Sequence, residues 1–413
     1  MILKNKLLLT GAVLLLTMTL SGCNLINIAK LKYANDDLQP RWGSQQHIIA
    51  LDTAYHGEKP YVFVDINGVK GFKMLIDTGA SFTILQNTKK VKALKLPKGY
   101  ELELNGWGDT KSSPSFKTDI DLMNISGISL DNLSVAYLAI TKSPYYLRED
   151  EAIYDGVIGH DILKHFSWRF DKKQNQVLVS NQAYRATTKD KSVSFDTFFS
   201  KISIPAKVTF NEHQTEDIDL IVDTGSRHYL KISSAYIEDY NIELPKAQVS
   251  SADFGLSGIA LHQRVSVPKV TITGINLTNV KTNIIVSNDE DFSVIGNAVF
   301  GQFVTVIDYF QDKIFLSPNT DAFKSRYNLL GVELRKLRSG NFIVRYISPD
   351  LVLANTALKV GDEIIKINNV QAVDITHEQW LALTNTPGVY RLCLAGNSCL
   401  SVESKEVKGF SLH

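Results

Sequence analysis

The chain has little cysteine, no dominant charge and no apolar run long enough to span a membrane. Three cysteines in 413 residues exclude a disulfide-dense scaffold, and no zinc-type spacing of Cys or His occurs. Lys plus Arg number 44 against 43 Asp plus Glu, for a net charge of +1. No long-range field therefore favours a nucleic acid or a polybasic membrane contact. The conspicuous apolar run, Leu7 to Leu20, covers fourteen residues, short of the roughly 20 that a spanning helix needs. What is left is globular composition, 44% hydrophobic and 21% charged, enough for two or three domains.

Lys4 and Lys6 precede the apolar run, as in a signal segment. The run ends in "LSGC", which resembles the lipobox of bacterial lipoproteins. That resemblance implies a signal peptide over 1–23, cleaved to leave Cys23 as a lipid-bearing (palmitoylated) N-terminus. A plain signal peptide that contains Cys23 is the alternative. Residues 24–44 would be a polar tether, placing an exported, membrane-anchored protein in the bacterial cell envelope, periplasm-facing or on the surface. In that oxidising setting Cys393 and Cys399, which flank "LAGNS", can pair across a hairpin.

The chain repeats itself. Asp77 matches Asp223 at an offset of 146; "WG" (Trp107, Gly108) matches "FG" (Phe254, Gly255), and "GISLDNL" from Gly127 matches "GINLTNV" from Gly274, both at 147. Further on, "VIGHDILKHFSWRFDKKQNQVLVS" from Val157 matches "VIGNAVFGQFVTVIDYFQDKIFLS" from Val294 at 137, the ten missing residues reflecting a longer polar loop in the first copy. Each copy is built of short alternating segments rich in β-branched and aromatic residues, with one brief helical run after "VIG". The expectation is a mainly β protein with two pseudo-symmetric lobes, 45–185 and 190–320, related by an approximate two-fold axis.

Two equivalent aspartates on such lobes face each other if the axis passes between their turns. Carboxylates about 3 Å apart cannot both ionise, so the pair shares a proton and supplies a base and an acid at once. Gly79 and Gly225 allow the sharp turns, while Thr78 and Thr224 can bond across the axis; Ser226 completes the second turn. "DTGA" at Asp77 and "DTGS" at Asp223, each after an apolar strand, together with Val157-Ile158-Gly159 and Val294-Ile295-Gly296, resemble the aspartic proteases of the pepsin and retropepsin type. That resemblance covers about residues 45–320. It implies barrel-like lobes, Asp77 and Asp223 as the catalytic dyad, Ile158, Gly159, Ile295 and Gly296 packed beside the turns, and a flap. Trp107 and Gly108 are the flap candidate, an ordinary β-turn being the other reading. Phe254 and Gly255 as their counterpart suggest two flaps, as in retropepsins. The second turn departs from the pattern in Arg227 and His228: Arg227 either points to solvent or biases Asp223 towards the base, leaving Asp77 as the acid. Asp171 and Asp308 read as strand-end residues.

From about 327 to 405 the sequence resembles a small α+β PDZ domain, most specifically in "ALKVGDEIIKINN", Ala357 to Asn369. In that resemblance Leu329, Leu330, Gly331 and Val332 are the loop that holds a terminal carboxylate, or else a strand start, and Thr376 to Asn385 is the helix bordering the groove. The function expected is a monomeric aspartic endopeptidase, a hydrolase acting on peptide or protein substrates without cofactor or metal. Its PDZ domain would bind C-terminal peptides or regulate access. A non-catalytic peptide-binding or sensing lipoprotein on the same folds is the alternative.

Overall fold

The computed structural model describes residues 24–106, 108, 113–138, 153–285, 292–318, 321–351, 357–396 and 398–410. Cys23 and Trp107 lie outside the described residues.

The protein is mainly β. In the first lobe, alternation along the strand Lys59–Ile66 sends Val62, Val64 and Ile66 into the core, and its neighbour Val69–Ile76 buries Phe72, Met74 and Ile76 there. These strands belong to a nine-stranded sheet; an eight-stranded sheet does the same for the second lobe, around Lys201–Thr209 and Thr215–Asp223. Both lobes and the sheet between them pack into one continuous apolar core.

That connecting sheet has six strands drawn from both halves. Ser167–Asp171 pairs antiparallel with Phe303–Asp308, with Ser167 opposite Asp308, Asp171 opposite Val304 and Arg169 opposite Val306. Positions 169 and 306 differ by 137, the repeat offset of this region. A strand thus pairs with its own repeat copy in symmetric register, and the two-fold axis passes through the Arg169–Val306 pair. Asp171 accepts from the Gln174 amide at 3.1 Å and Asp308 from the amides of Tyr184 and Phe310 at 2.6 and 2.9 Å, as strand-end carboxylates do.

Two segments depart from the sequence expectation. The first lobe begins earlier than residue 45, because Arg41–Trp42 already pairs with Ser129 and Ile128. Within the stretch expected as a polar tether, residues 24–33 form a helix. Its Leu31 is fully buried among Phe82, Leu102, Leu104 and Ala136. Asn24 and Asn27 look solvent-facing in sequence, yet they bond the Glu103 amide at 3.0 Å and the Glu101 carbonyl at 3.1 Å, satisfying the outer strand of the sheet. Among the described residues no helix is long and apolar enough to cross a membrane.

The last unit has its own core, centred on Leu330, Val344, Ile364, Trp380 and Leu392, beneath a six-stranded sheet. Its helix His377–Thr384 opens with a capping box formed by Thr376 and Gln379. Val332–Lys336 is an outer strand of the sheet, paired among the described residues only with Phe342–Ile347. Cys393 and Cys399 face each other across the hairpin of Gly388–Leu394 and Cys399–Ser404 and are joined by a disulfide.

This unit is seated against both lobes. Arg326 bonds Glu58 of the first lobe at 2.6 Å and Glu378 of the helix at 2.8 Å, while Lys172 contacts the same two carboxylates. Tyr327 reaches Ser266 of the second lobe at 2.8 Å and stacks on Phe410. Arg264 pairs with Glu333 at 3.2 Å.

Candidate active site

The strands ending in Asp77 and Asp223 are each flanked by a parallel strand from the segment identified by its Val-Ile-Gly pattern. Ile158 pairs with Ile76, and Gly296 pairs with Asp223. The Asp77 amide donates to the Ile158 carbonyl at 3.1 Å. Gly159 and Gly296 then start the short helices His160–Leu163 and Asn297–Phe300.

The two turns are laced together reciprocally. The Thr78 amide donates to Thr224 Oγ1 at 3.1 Å and the Thr224 amide to Thr78 Oγ1 at 3.0 Å. Each hydroxyl in turn donates to a carbonyl of the other lobe, Thr78 to Val222 at 2.6 Å and Thr224 to Ile76 at 2.9 Å. Every polar group of the lace is satisfied in a buried setting, which fixes the turns as one rigid body. Each glycine then lies against the opposite aspartate. A Cβ on Gly79 would stand 2.9 Å from Asp223 Cγ, and one on Gly225 would stand 2.3 Å from Asp77 Cγ.

The carboxylates are therefore brought together, both lining one cleft of about 2290 Å³. Burial, and then the charge of Asp223, push the Asp77 carboxyl up to about 7, against the downward pull of Lys59 and of the Gly79 amide, which donates to Asp77 Oδ1 at 2.8 Å. Asp223 Oδ1 is buried without a protein partner among the described residues. Such a pair holds a proton on one member and an open acceptor on the other.

Over the cleft, the hairpin of Glu101–Leu104 and Ser113–Ile125 meets the hairpin of Val249–Gly255 and Gly258–Ile272. The Gly106 amide donates to Ser257 Oγ at 3.0 Å, and a Cβ on Gly108 would fall 2.1 Å from the Ser257 carbonyl carbon. Phe254 and Gly255 sit at the second tip, where Arg345 of the last unit covers the Phe254 ring at 3.5 Å.

The departures in the second turn are both placed. Arg227 is half-buried and lines the cleft with the dyad. His228 turns inward: its Nδ1 accepts from Asn283 Nδ2 at 3.0 Å and its Nε2 donates to Asp253 at 3.0 Å. Burial pushes His228 well below its ordinary value, so it is a neutral donor. Burial also opposes ionisation of Asp253, yet the donors and cations around it, His228 and the buried Lys231 among them, hold its carboxyl well below the usual range. Among the described residues no three His, Cys, Asp or Glu side chains converge as a metal site requires.

Ser226 supports its turn through the backbone, its carbonyl accepting from the Asn297 amide at 2.8 Å. In the Leu329–Val332 loop, the Leu329 amide already donates to Thr384 O at 2.8 Å and the Gly331 amide to Asn328 Oδ1 at 3.2 Å. Two of its donors are thus engaged internally, which favours the strand-start reading.

Sequence reasoning missed Lys59, Lys201, Asp253 and Arg335. Lys201 Nζ donates to the Gly79 carbonyl at 2.7 Å, and Arg335, on the outer strand of the last unit, lines the same cleft. Asp253 stands directly before Phe254, a hint the flap comparison offered; the other three carry no local signature.

Among curated proteins nothing matches the chain. Residues 62–162, from the strand before Asp77 through the Val157–Gly159 segment, match the family model described as aspartyl protease, and residues 320–394 match that of the PDZ domain. The chain carries an aspartyl protease domain, followed at its C-terminal end by a PDZ domain.

Proposed function

We propose that this chain is an aspartic endopeptidase, with Asp77 and Asp223 as its dyad, complete in one monomer. The observation that carries the reading is the reciprocal placement of the two turns, each glycine beneath the opposite carboxylate inside the threonine lace. Asp77, raised by burial, keeps the proton and is the acid; Asp223, with its open oxygen, is the base. In the reaction a water between them attacks the peptide carbonyl carbon. Asp223 takes a proton from that water as Asp77 gives its own to the carbonyl oxygen, forming a gem-diol. Proton transfer to the amide nitrogen then lets the C–N bond break, leaving a carboxyl and an amine.

The meeting hairpins act as paired flaps that open to admit an extended chain and exclude water once closed. The lipobox-like "LSGC" supports export and anchoring through Cys23 in the cell envelope, with the described helix at 24–33 following directly. The PDZ unit, seated over the cleft, presents peptide ends to it or controls access.

Incubation with an unfolded protein across a pH series, read by mass spectrometry, tests this. Cleavage by the native chain and none by Asp77→Asn or Asp223→Asn is expected. Cleavage surviving in either variant overturns the dyad, and a native chain that binds peptides without cutting them is the non-catalytic binder instead.

A further inference from the structure

Two cations face the dyad across the cleft. Lys59 and Arg227 line the cleft together with Asp77 and Asp223. Neither side chain makes a hydrogen bond or ion pair with any described residue. They also act on one another: after burial, Arg227 is the strongest influence holding the Lys59 ammonium down, to about 8.

Strand register shows why Lys59 is unusual. Tyr61 pairs with Leu75 and Ser203 pairs with Ile221. Two residues further in the same registers, Lys59 stands opposite Asp77 and Lys201 opposite Asp223. The lysines are therefore symmetry counterparts. Lys201 donates to the Gly79 carbonyl at 2.7 Å, while Lys59 has no matching bond to the other turn.

Among the described residues the other acids on the cleft wall are engaged elsewhere, Glu103 included, although Arg227 also acts on Glu333. Glu58 and Glu378 are taken by Arg326 and Lys172, Asp253 by His228 and Lys231, and Asp321 by Lys173. A proton-sharing dyad carries one negative charge, against two unpartnered cations. An incoming carboxylate that reaches these half-buried cations gains a charge contact less screened than in bulk water.

We propose that Lys59 and Arg227 form a carboxylate-recognition subsite, so that the cleft selects peptides carrying a side-chain or terminal carboxylate beside the bond to be cut. The inference rests on the peptidase reading and deepens it. It gives Lys59 a specificity role besides its effect on Asp77, and it explains the departure of the second turn at Arg227 as a substrate contact.

Three pools of short degenerate peptides separate the outcomes: Glu-containing with an amidated end, Gln-containing with an amidated end, and Gln-containing with a free C-terminal carboxylate. Each is assayed for cleavage by the full chain and, fluorescently labelled, for binding to Asp223→Asn by anisotropy. At least a roughly tenfold preference for a carboxylate pool is expected, expressed in KM and in Kd and weakened by salt. The pool preferred tells side-chain from terminal carboxylate. Lys59→Met with Arg227→Met should bring the ratio of carboxylate to neutral pool close to one, and Lys59→Glu with Arg227→Glu should turn the preference towards the neutral, amidated Gln pool. Cleavage of all pools equally overturns the subsite and leaves the peptidase standing. Selective binding with no cleavage by the native chain overturns the peptidase and leaves the subsite. Folded protein that neither cuts nor binds selectively overturns both.

Discussion

Gly225 and Asp77 leave no room between them: a Cβ at position 225 would lie 2.3 Å from the Asp77 Cγ, whereas the reciprocal approach of Gly79 to Asp223 is looser at 2.9 Å. Gly225→Ala must therefore displace the Asp77 carboxylate, since the turn behind it is held by the threonine lace. Its cost is expected at about 1–3 kcal/mol of stability, with peptide cleavage falling by about 100-fold or more through misplacement of the acid. Gly79→Ala should be milder on both counts. Chemical denaturation and kcat/KM for the two variants check the ranking, and a Gly225→Ala protein as active as the native chain contradicts the geometry.

The raised Asp77 carboxyl predicts a pH dependence with a definite sign. Its folded value is about 7 against an ordinary 3.8, so the native state holds a proton that the unfolded state releases. Between those values stability falls as pH rises, and it levels off above about 7. Activity that needs the proton on Asp77 should decline over the upper part of the same window. Thermal unfolding from pH 4 to pH 8 is the measurement; Asp77→Asn should flatten the trend by removing the group that titrates.

Asp253 ties the hairpin strand Val249–Gly255 to His228, just beyond the Asp223 turn. Asp253→Asn removes the buried carboxylate that His228 bonds and that Lys231, only 3% exposed, faces at 3.9 Å. The expected loss is about 3–5 kcal/mol, as when one partner of a buried pair is removed. Urea titration measures it. His228→Asn keeps the Lys231–Asp253 pair and should cost much less.

Glu58 joins the first lobe to Arg326 at the start of the PDZ unit and to Lys172, which also contacts Glu378 of the PDZ helix. Glu58→Gln is expected to cost about 3 kcal/mol locally and to free the PDZ unit. The readout is faster nicking by an added protease between residues 318 and 332, with the lobes themselves remaining resistant. Unchanged nicking counts against a seat held by this network.

Much of this was legible because it is local or repeated. The Asp-Thr-Gly turns are contiguous, and the offset of 137 shared by Val157 and Val294 survives in the strand pairing that sets Arg169 opposite Val306. The lysine pair was not legible. The hairpin before Asp223 is four residues longer than that before Asp77, so the offset of 146 aligns Lys59 with Pro205, while strand pairing aligns it with Lys201. Seating of the PDZ unit depends on Arg326, Glu58 and Glu378, far apart in the chain and individually ordinary. The helix at 24–33 was hidden by polarity: Asn24 and Asn27 look like leader residues until a strand edge needs their amides.

The unequal use of Lys59 and Lys201 has a consequence for direction. A cleft assembled from two identical halves presents the same groups to a polypeptide whichever way it runs, so N-to-C and C-to-N binding are degenerate. Here one lysine is bound to the Gly79 carbonyl and its counterpart stands open beside Arg227, whose own position in the first turn is occupied by Ser81. That imbalance lifts the degeneracy, giving the groove a polarity that no dimer of identical halves could have.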